Sequence, residues 1–224
     1  MNMKRILLVV IVATIVCPGP LDAASVSYIG KLAYGGGGAD GNLSVNSIGP
    51  DRGWLYQITS IAWQIDSTDT PGIWHYQYKI TVPNGGDLST DIQCMIVETS
   101  PTFSWDSIML DTLTSTPADW LVKTEIDSFS PWANQKLPSS VYGIMFRTVA
   151  VDPKTLTIGF SSNRAPVWGD VYVRSFVLDG KYNTFHNEGW ERFMDDNDPT
   201  DPPDDGSIRK IGRASCRERV YHPV

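Results

Sequence analysis

Histidine and cysteine, the side chains that most often serve as general bases and nucleophiles, are scarce in this sequence. Three histidines occur in 224 residues, and His75 and His186 are the two that precede the last few residues. His75 alternates with apolar neighbours, so it falls on the polar face of a strand, where a solvated imidazole is expected in preference to a base. Cys94 shares the parity of Ile92 and Ile96, which favours a small core residue. Because H-E-x-x-H and G-x-S-x-G motifs are also missing, we expect no catalytic residues and no enzyme.

Tryptophan is the next residue type that could bind something. The chain has eight Trp, and four of them lie outside the clearest strand patterns. Exposed indole rings there could stack on sugars as a glycan-binding platform. The alternative, which the large share of aromatic side chains in core burial favours, is that they cover the core from loops. The four candidates are Trp105, Trp120, Trp132 and Trp190.

A dense run of carboxylates, DDNDPTDPPDD at residues 195–205, could hold Ca²⁺ through oxygen ligands. The run departs from the EF-hand pattern, because Pro199 takes the fifth position and neither the Gly nor the terminal Glu falls in place. An acidic, proline-rich solvated linker is the favoured interpretation. No cofactor is therefore expected, with Ca²⁺ as the alternative. Its candidate ligands are Asp195, Asp196, Asp198 and Asp201.

The first 24 residues predict a secretory signal peptide. Lys4 and Arg5 form a basic start, and the apolar run from Ile6 to Val16 is too short to span a bilayer. Small residues follow at Ala23 and Ala24, where cleavage is expected. A lipoprotein signal at Cys17 is the weaker alternative, because Val16 is bulky for the position before the modified cysteine. We therefore expect a secreted protein.

The last residues look foreign to the chain. IGRASCRERV, residues 211–220, resembles the in-frame translation of a short sequencing adapter. The alternative is a genuine basic tail, which would indicate a nucleic-acid or membrane patch. We interpret residues 209–224 as a non-native tail after an acidic linker at 195–208, which leaves residues 25–194 as one domain.

Charge and cysteine content exclude several classes of partner. The net charge is −7. Without the charged residues of the signal peptide and the adapter-like stretch, 13 cations and 23 anions remain, which gives about −10. This argues against binding to nucleic acid or to an anionic membrane. Only Cys94 remains, so no disulfide forms within the chain, and a sizeable core must stabilise the domain.

Period-two alternation predicts antiparallel strands. In IWHYQYKITV and TLTIGF one parity is apolar, and we expect these residues in one core: Trp74, Tyr76, Tyr78, Ile80, Leu156, Ile158 and Phe160. VYGIMF and TLTIGF flank a turn signal at Asp152-Pro153, which predicts a hairpin. The segments SWDSIML and PADWLVK predict short helices with Ser104 and Thr116 as caps. Together the patterns predict an all-β, single antiparallel β-sandwich, jelly-roll-like or immunoglobulin-like, with short helices in loops.

The stretch SSNRAPVWGDVYV, residues 161–173, lies between two strand patterns. Pro166 fixes one backbone angle, Gly169 permits an unusual one, and Trp168 could lie over the end of the core. Arg164 and Asp170 are spaced to pair across the turn, although such a surface pair contributes little. We interpret the stretch as a structural corner, with a ligand site as the alternative.

The same stretch resembles SDRAPVWGDFY, a motif of exported bacterial proteins of the PEP-CTERM class. WHYQYKITVPNGGDLSTDIQCMIVETSPTF and NDPTDPPDDGSI resemble other parts of that group in order, so that the likeness covers most of residues 54–208. Asn163 and Val171 depart mildly from the motif. The group's Pro-Glu-Pro sorting signal, apolar segment and basic tail do not follow, and we expect that the adapter-like stretch replaces them.

The resemblance implies export, sorting at the cell envelope and association with exopolysaccharide, but no activity and no catalytic residues. Contact with a membrane would come only through the C-terminal anchor that this chain lacks. The leading hypothesis is a secreted, non-catalytic cell-surface or extracellular-matrix protein, with extracellular polysaccharide as a partner. A glycan-binding module, with or without Ca²⁺, would be favoured if Trp105, Trp120 and Trp132 shared one exposed face. A hydrolase would be favoured by a buried, close Asp/Glu pair in a cleft.

Overall fold

Two antiparallel sheets make up most of the structure. The computed structural model describes residues 26–34, 43–48, 54, 59–82, 91–118, 120–149, 155–188, 190 and 211–214. A five-stranded and a six-stranded sheet pack face to face, which confirms the predicted antiparallel β-sandwich. In chain order the strands are β1 (Ser27–Tyr34), β2 (Leu43–Ile48), β3 (Thr59–Ser67), β4 (Trp74–Thr81), β5 (Ile92–Glu98), β6 (Ile108–Thr116), β7 (Leu121–Phe129), β8 (Val141–Thr148), β9 (Thr155–Ser162), β10 (Pro166–Gly169), β11 (Val171–Ser175), β12 (Tyr182–Asn187) and β13 (Ile211–Ala214).

The order of the strands leaves β6 at one edge of the five-stranded sheet and β7 at one edge of the six-stranded sheet. The five-stranded sheet runs β1-β3-β4-β9-β6, and the six-stranded sheet runs β2-β12-β11-β5-β8-β7. β10 and β13 pair in a separate two-stranded sheet. The strands β6 and β7 are each paired on one side only by these two orders, so their free edges are available to form a groove.

The core between the sheets follows the predicted alternation. In the register of β4 and β9, Tyr76 lies opposite Phe160 and Tyr78 opposite Ile158. The predicted core residues of both strands are buried, except that Trp74 is half-buried at the rim. Phe146 of β8 reaches across from the other sheet, with its ring centroid 5.8 Å from that of Phe160. The sequence prediction of this core is therefore confirmed.

The predicted hairpin between VYGIMF and TLTIGF is wrong. β8 lies in the six-stranded sheet and β9 in the five-stranded sheet, so the chain crosses from one sheet to the other between them. The physical reason is that β8 buries both faces: Ile144 enters the main core and Met145 a second one. A strand buried on both faces takes an interior place in its sheet. The turn signal itself, Asp152-Pro153, lies outside the described residues.

The two predicted short helices are also wrong in large part. In SWDSIML only Trp105–Ser107 form a 3₁₀ turn, in which the Ser104 backbone N–H donates to Ser107 Oγ at 3.2 Å, before β6 begins. PADWLVK leads into β7, and Thr116 ends β6 instead of capping a helix. Local capping signals are overridden here because pairing with β9 and β8 satisfies the backbone over longer stretches.

A second, smaller core covers the outer face of the six-stranded sheet. Cys94 and Ile96 of β5 lie there with Met145 and Tyr172, and the loop after β7 covers them. The remaining members are Phe129, Leu137 and Val141, with Trp190 packed partly against them. The predicted burial of Cys94 is thus confirmed, on the outer face of its sheet.

Part of the adapter-like stretch contacts the domain. Ile211–Ala214 pair antiparallel with Pro166–Gly169 of β10, outside both large sheets. A strand edge offers backbone donors and acceptors that any extended segment can use, whatever its side chains. This explains how a stretch with no apolar pattern of its own reaches the domain. The segments predicted as a signal peptide and an acidic linker lie outside the described residues.

Candidate functional site

The stretch SSNRAPVWGD carries the chain from one sheet to the other. It leaves the five-stranded sheet at Ser162 and joins the six-stranded sheet at Val171. On the first side, Ser162 Oγ donates to the Ser107 carbonyl at 2.7 Å and accepts from the Arg164 N–H at 3.1 Å. The Tyr76 hydroxyl donates to the Arg164 carbonyl at 2.7 Å. These bonds fasten the start of the corner to β4 and to the turn before β6.

A buried polar network fastens the other end of the corner. The Asp170 N–H donates to Glu98 Oε2 at 2.8 Å, and Asn187 Nδ2 donates to Asp170 Oδ1 at 2.7 Å. Asn187 Oδ1 in turn accepts from the Val171 N–H at 2.8 Å. Glu98, Asp170 and Asn187 are all buried. Since they belong to or adjoin β5, β11 and β12, the network joins three strands of the six-stranded sheet.

Two of the roles expected of residues in the corner are not found in the structure. Arg164 and Asp170 do not pair with each other: the Arg164 guanidinium donates from Nε to Ser107 Oγ at 3.1 Å, whereas Asp170 accepts from Asn187. Pro166 and Gly169 are buried within β10. Gly169 is not among the glycines with positive φ, so the unusual angle expected of it is not found. The Trp168 side chain lies outside what the structure describes.

Glu98 and Asp170 form the kind of close, buried acidic pair that a hydrolase could use. Their geometry indicates a different role, because Glu98 Oε2 accepts from a backbone N–H and Asp170 Oδ1 from a side-chain amide. Hydrogen bonds from these N–H donors fix both carboxyl groups in place. The pair therefore serves as a structural tie in the described part of the chain.

The four candidate Trp residues differ in how far they are exposed. Trp132 is 95% exposed and Trp105 is 43% exposed. Trp120 is half-buried against the main core, and Trp190 packs on the second core while its Nε1 donates to Ser139 Oγ at 2.9 Å. Trp120 and Trp190 thus pack against the two cores from loops, whereas Trp105 and Trp132 are exposed.

Trp105 forms one wall of a groove between the two sheet edges. The groove has a volume of about 440 Å³, and its lining is mainly apolar. β6 and β7 supply the rest of the lining: Leu110, Leu113, Leu121, Lys123 and Thr124. A bulge in β6 between Met109 and Thr114 carries the two β6 leucines out of the sheet register. Leu110 is 57% exposed there, which the alternation pattern could not indicate because bulges break it.

Trp132 is presented by a loop that is fixed on both sides. Within the loop, the Ala133 and Asn134 N–H groups donate to the Ser130 carbonyl at 3.2 and 3.1 Å. Leu137 then enters the second core. From the sheet beneath, the Tyr172 hydroxyl donates to the Gln135 carbonyl at 2.6 Å. The exposed indole therefore stands on a loop with a defined conformation.

The other groups that could do chemistry are occupied or buried. His75 Nδ1 lies 3.3 Å from Ser161 Oγ across two paired strands on the outer face of the five-stranded sheet. Burial lowers the pKa of His186 to about 4, so its imidazole is neutral near pH 7. Burial also raises the pKa of the Cys94 thiol, against the opposing influence of Arg174. A neutral thiol is a poor nucleophile.

No group of three or more His, Cys, Asp or Glu side chains that could hold a metal ion occurs among the residues that the structure describes. The four aspartates proposed for Ca²⁺ lie outside those residues. Within the same residues, no helix has the length and hydropathy needed to cross a bilayer. The chain matches no protein-family model, no curated protein and no solved structure.

Proposed function

We propose that the protein is an exported, non-catalytic component of the cell surface or extracellular matrix. The observation that carries this is the contrast between its buried and its exposed groups. Cys94, Glu98 and Asp170 are buried, the two acids in structural hydrogen bonds, while a Trp side chain and an apolar groove face solvent. A protein built this way acts through surface contact in preference to bond-breaking chemistry.

Export rests on the amino-terminal sequence and on the likeness to the PEP-CTERM class. The experiment compares the chain with a variant lacking residues 2–24, both expressed in a bacterial host and followed by mass spectrometry of cell fractions. We expect the full chain outside the cytoplasm and shortened at Ala23 or Ala24, and the variant inside and uncut. Retention of the full chain in the cytoplasm at its original mass would contradict export.

The absence of catalysis is tested separately with Glu98→Gln and Asp66→Asn. Both substitutions remove one carboxylate charge, but Glu98 lies in the buried network and Asp66 on the outer face of β3. Across glycoside, ester and peptide substrates we expect no turnover from the wild type. Turnover that Glu98→Gln abolishes and Asp66→Asn leaves intact, with folding preserved in both, would identify a hydrolase.

Binding of extracellular polysaccharide is a second candidate function, which the exposure of Trp105 and Trp132 favours. An indole face can stack on the apolar face of a sugar ring. Affinity electrophoresis through neutral dextran and through alginate would detect it. We expect Trp132→Ala to migrate freely where the wild type is retarded, and Trp190→Ala, which alters a Trp on the second core, to remain retarded.

A further inference from the structure

The strand β10 has a backbone edge that an extended segment of chain occupies. Pro166–Gly169 belong to neither large sheet, and among the described strands their partner is β13, Ile211–Ala214. Four residues pair on each side, and β13 also lies close to β1 and β3. The edge therefore has a defined place in the domain, at the corner that joins β9 to β11.

The pairing uses the backbone groups of every second residue. In an antiparallel ladder, pairs of residues that exchange two hydrogen bonds alternate with pairs that exchange none. Pro166 has no N–H, so its pair with Ala214 is of the second kind, and the next pair, Val167 with Arg213, is of the first. The same alternation makes Gly169 the other bonded position of β10. Recognition through these bonds makes no demand on the side chains of the segment.

We propose that β10 is a docking strand for an extended peptide, and that Ile211–Ala214 occupy it in cis. Addition of a strand to a free edge is a common mode of peptide recognition, in which main-chain hydrogen bonds supply the affinity. The occupant supports this mode, because IGRA lacks the alternation of apolar and polar residues that suits a segment to a core. The partner is thus an extended peptide with free N–H groups at two alternate positions. This inference goes beyond the proposed function and does not depend on it.

The position of β13 in the chain allows it to exchange with a separate peptide. It takes no part in the two large sheets, and the sequence places 20 residues, 191–210, between Trp190 and β13. The run DDNDPTDPPDD within them has the composition of a linker. A segment tethered in this way competes with a free peptide at an effective concentration on the order of a millimolar. The full chain therefore masks its own docking strand, and unseating β13 exposes it.

Fluorescence anisotropy of a labelled peptide of residues 209–215, RKIGRAS, tests the exchange on the full chain and its variants. Arg213→Pro removes the N–H of a bonded position, so this variant should bind the peptide at least tenfold more tightly than the wild type. Two controls should bind it as weakly as the wild type. Arg213→Ala keeps the N–H, and Ala214→Pro removes an N–H that points away from β10.

N-methylation of the peptide separates backbone pairing from the attraction between a cationic peptide and an acidic chain. Methylation at Arg213 should abolish binding to the Arg213→Pro variant, whereas methylation at Ala214 should not. Hydrogen exchange followed by NMR locates the site. The Val167 and Gly169 amides should be protected in the wild type, exchange faster in the Arg213→Pro variant, and regain protection when the peptide is added.

Three results of the binding experiments would overturn the proposal. They are equal binding of the peptide by the wild type and the Arg213→Pro variant, no binding by that variant, and binding that survives methylation at Arg213. Protection by the peptide elsewhere in the domain would overturn it as well. So would loss of cooperative unfolding in the Arg213→Pro variant, because the occupant of a docking strand is dispensable to the fold.

Discussion

At the scale of single residues, the groups that suggest chemistry are those that the fold has buried. Cys94 was predicted as a core residue from its parity with Ile92 and Ile96, and it is buried. Glu98 and Asn187 carried no comparable signal, because their role depends on Asp170, which lies 72 and 17 residues away from them. The alternation along a strand predicts which face of the sheet a side chain lies on. It does not predict which polar group the side chain contacts there.

We predict that Cys94 is unreactive in the folded protein. Burial excludes reagents and raises the pKa of the thiol, so little thiolate forms near pH 8. Labelling by a thiol reagent should be at least a hundredfold slower in buffer than in 6 M guanidinium, as followed by mass spectrometry. Use of Cys17→Ser and Cys216→Ser in the same chain leaves Cys94 as its only thiol. Rapid labelling in buffer would show that the second core is open.

His186 should make stability depend on pH between neutrality and mild acid. Its pKa is lowered to about 4 by burial, whereas an unfolded histidine has a pKa of about 6.5. The unfolded state therefore binds the proton more readily, and stability falls as pH drops from about 6.5 toward 4. Urea unfolding at pH 7 and pH 5 should differ by about 1–2 kcal/mol from this group after screening is allowed for.

The control for this pH dependence is the second histidine of the domain. His186→Asn should remove this fall in unfolding free energy between pH 7 and pH 5. His75→Asn, which alters a residue on the outer face of the other sheet, should retain it. An unchanged pH dependence in His186→Asn would mean that the imidazole already exchanges protons with solvent in the folded state.

At the scale of elements, the alternation of apolar and polar residues predicted where strands lie, but it did not predict which strands share a sheet. The inward residues of β4 and β9 were identified from sequence, because half-buried strands show period-two patterning. The assignment of β8 and β9 to different sheets could not be predicted, since a turn signal fits both a hairpin and a crossover between sheets. The corner after β9, a second crossover between the sheets, is held by hydrogen bonds from Tyr76 on one side and Asn187 on the other, which no local pattern could indicate.

We predict that Asp170→Ala destabilises the domain by about 2–3 kcal/mol. The substitution leaves the buried Asn187 amide without its acceptor and loosens the joint between β11 and β12. Asp66→Ala is the control, because Asp66 accepts hydrogen bonds from Ser27 and Gln64 on the outer face, where such bonds contribute little. Equal losses of unfolding free energy in the two variants would show that the corner has no special structural role.

At the scale of the whole molecule, Ile211–Ala214, the part of the tail that the structure describes, pair with β10 and belong to neither large sheet. β13 pairs with β10 and lies close to β1 and β3. The acidic stretch from Asp195 to Gly206 has no large apolar side chain and so predicts little burial, but the backbone pairing of the residues after it could not be predicted, because an open edge accepts extended chain of any composition.

A truncation after Met194 should therefore retain cooperative unfolding, with a Tm within a few degrees of the full chain. Calorimetry of both forms measures this. A truncation after Gly180 is the control, since it removes β12, which lies between β2 and β11, and it should abolish cooperative unfolding. Loss of cooperativity in the first truncation would show that the tail belongs to the fold.

The central claim is that the buried polar groups of this protein are structural and join strands β5, β11 and β12 of the six-stranded sheet. Urea unfolding of Glu98→Ala beside Asp66→Ala tests it most directly. We predict that Glu98→Ala lowers the free energy of unfolding by about 1–3 kcal/mol, because it leaves the buried Asp170 N–H without this acceptor, and that Asp66→Ala on the outer face of β3 changes it little. Equal losses of unfolding free energy in the two variants would contradict the account.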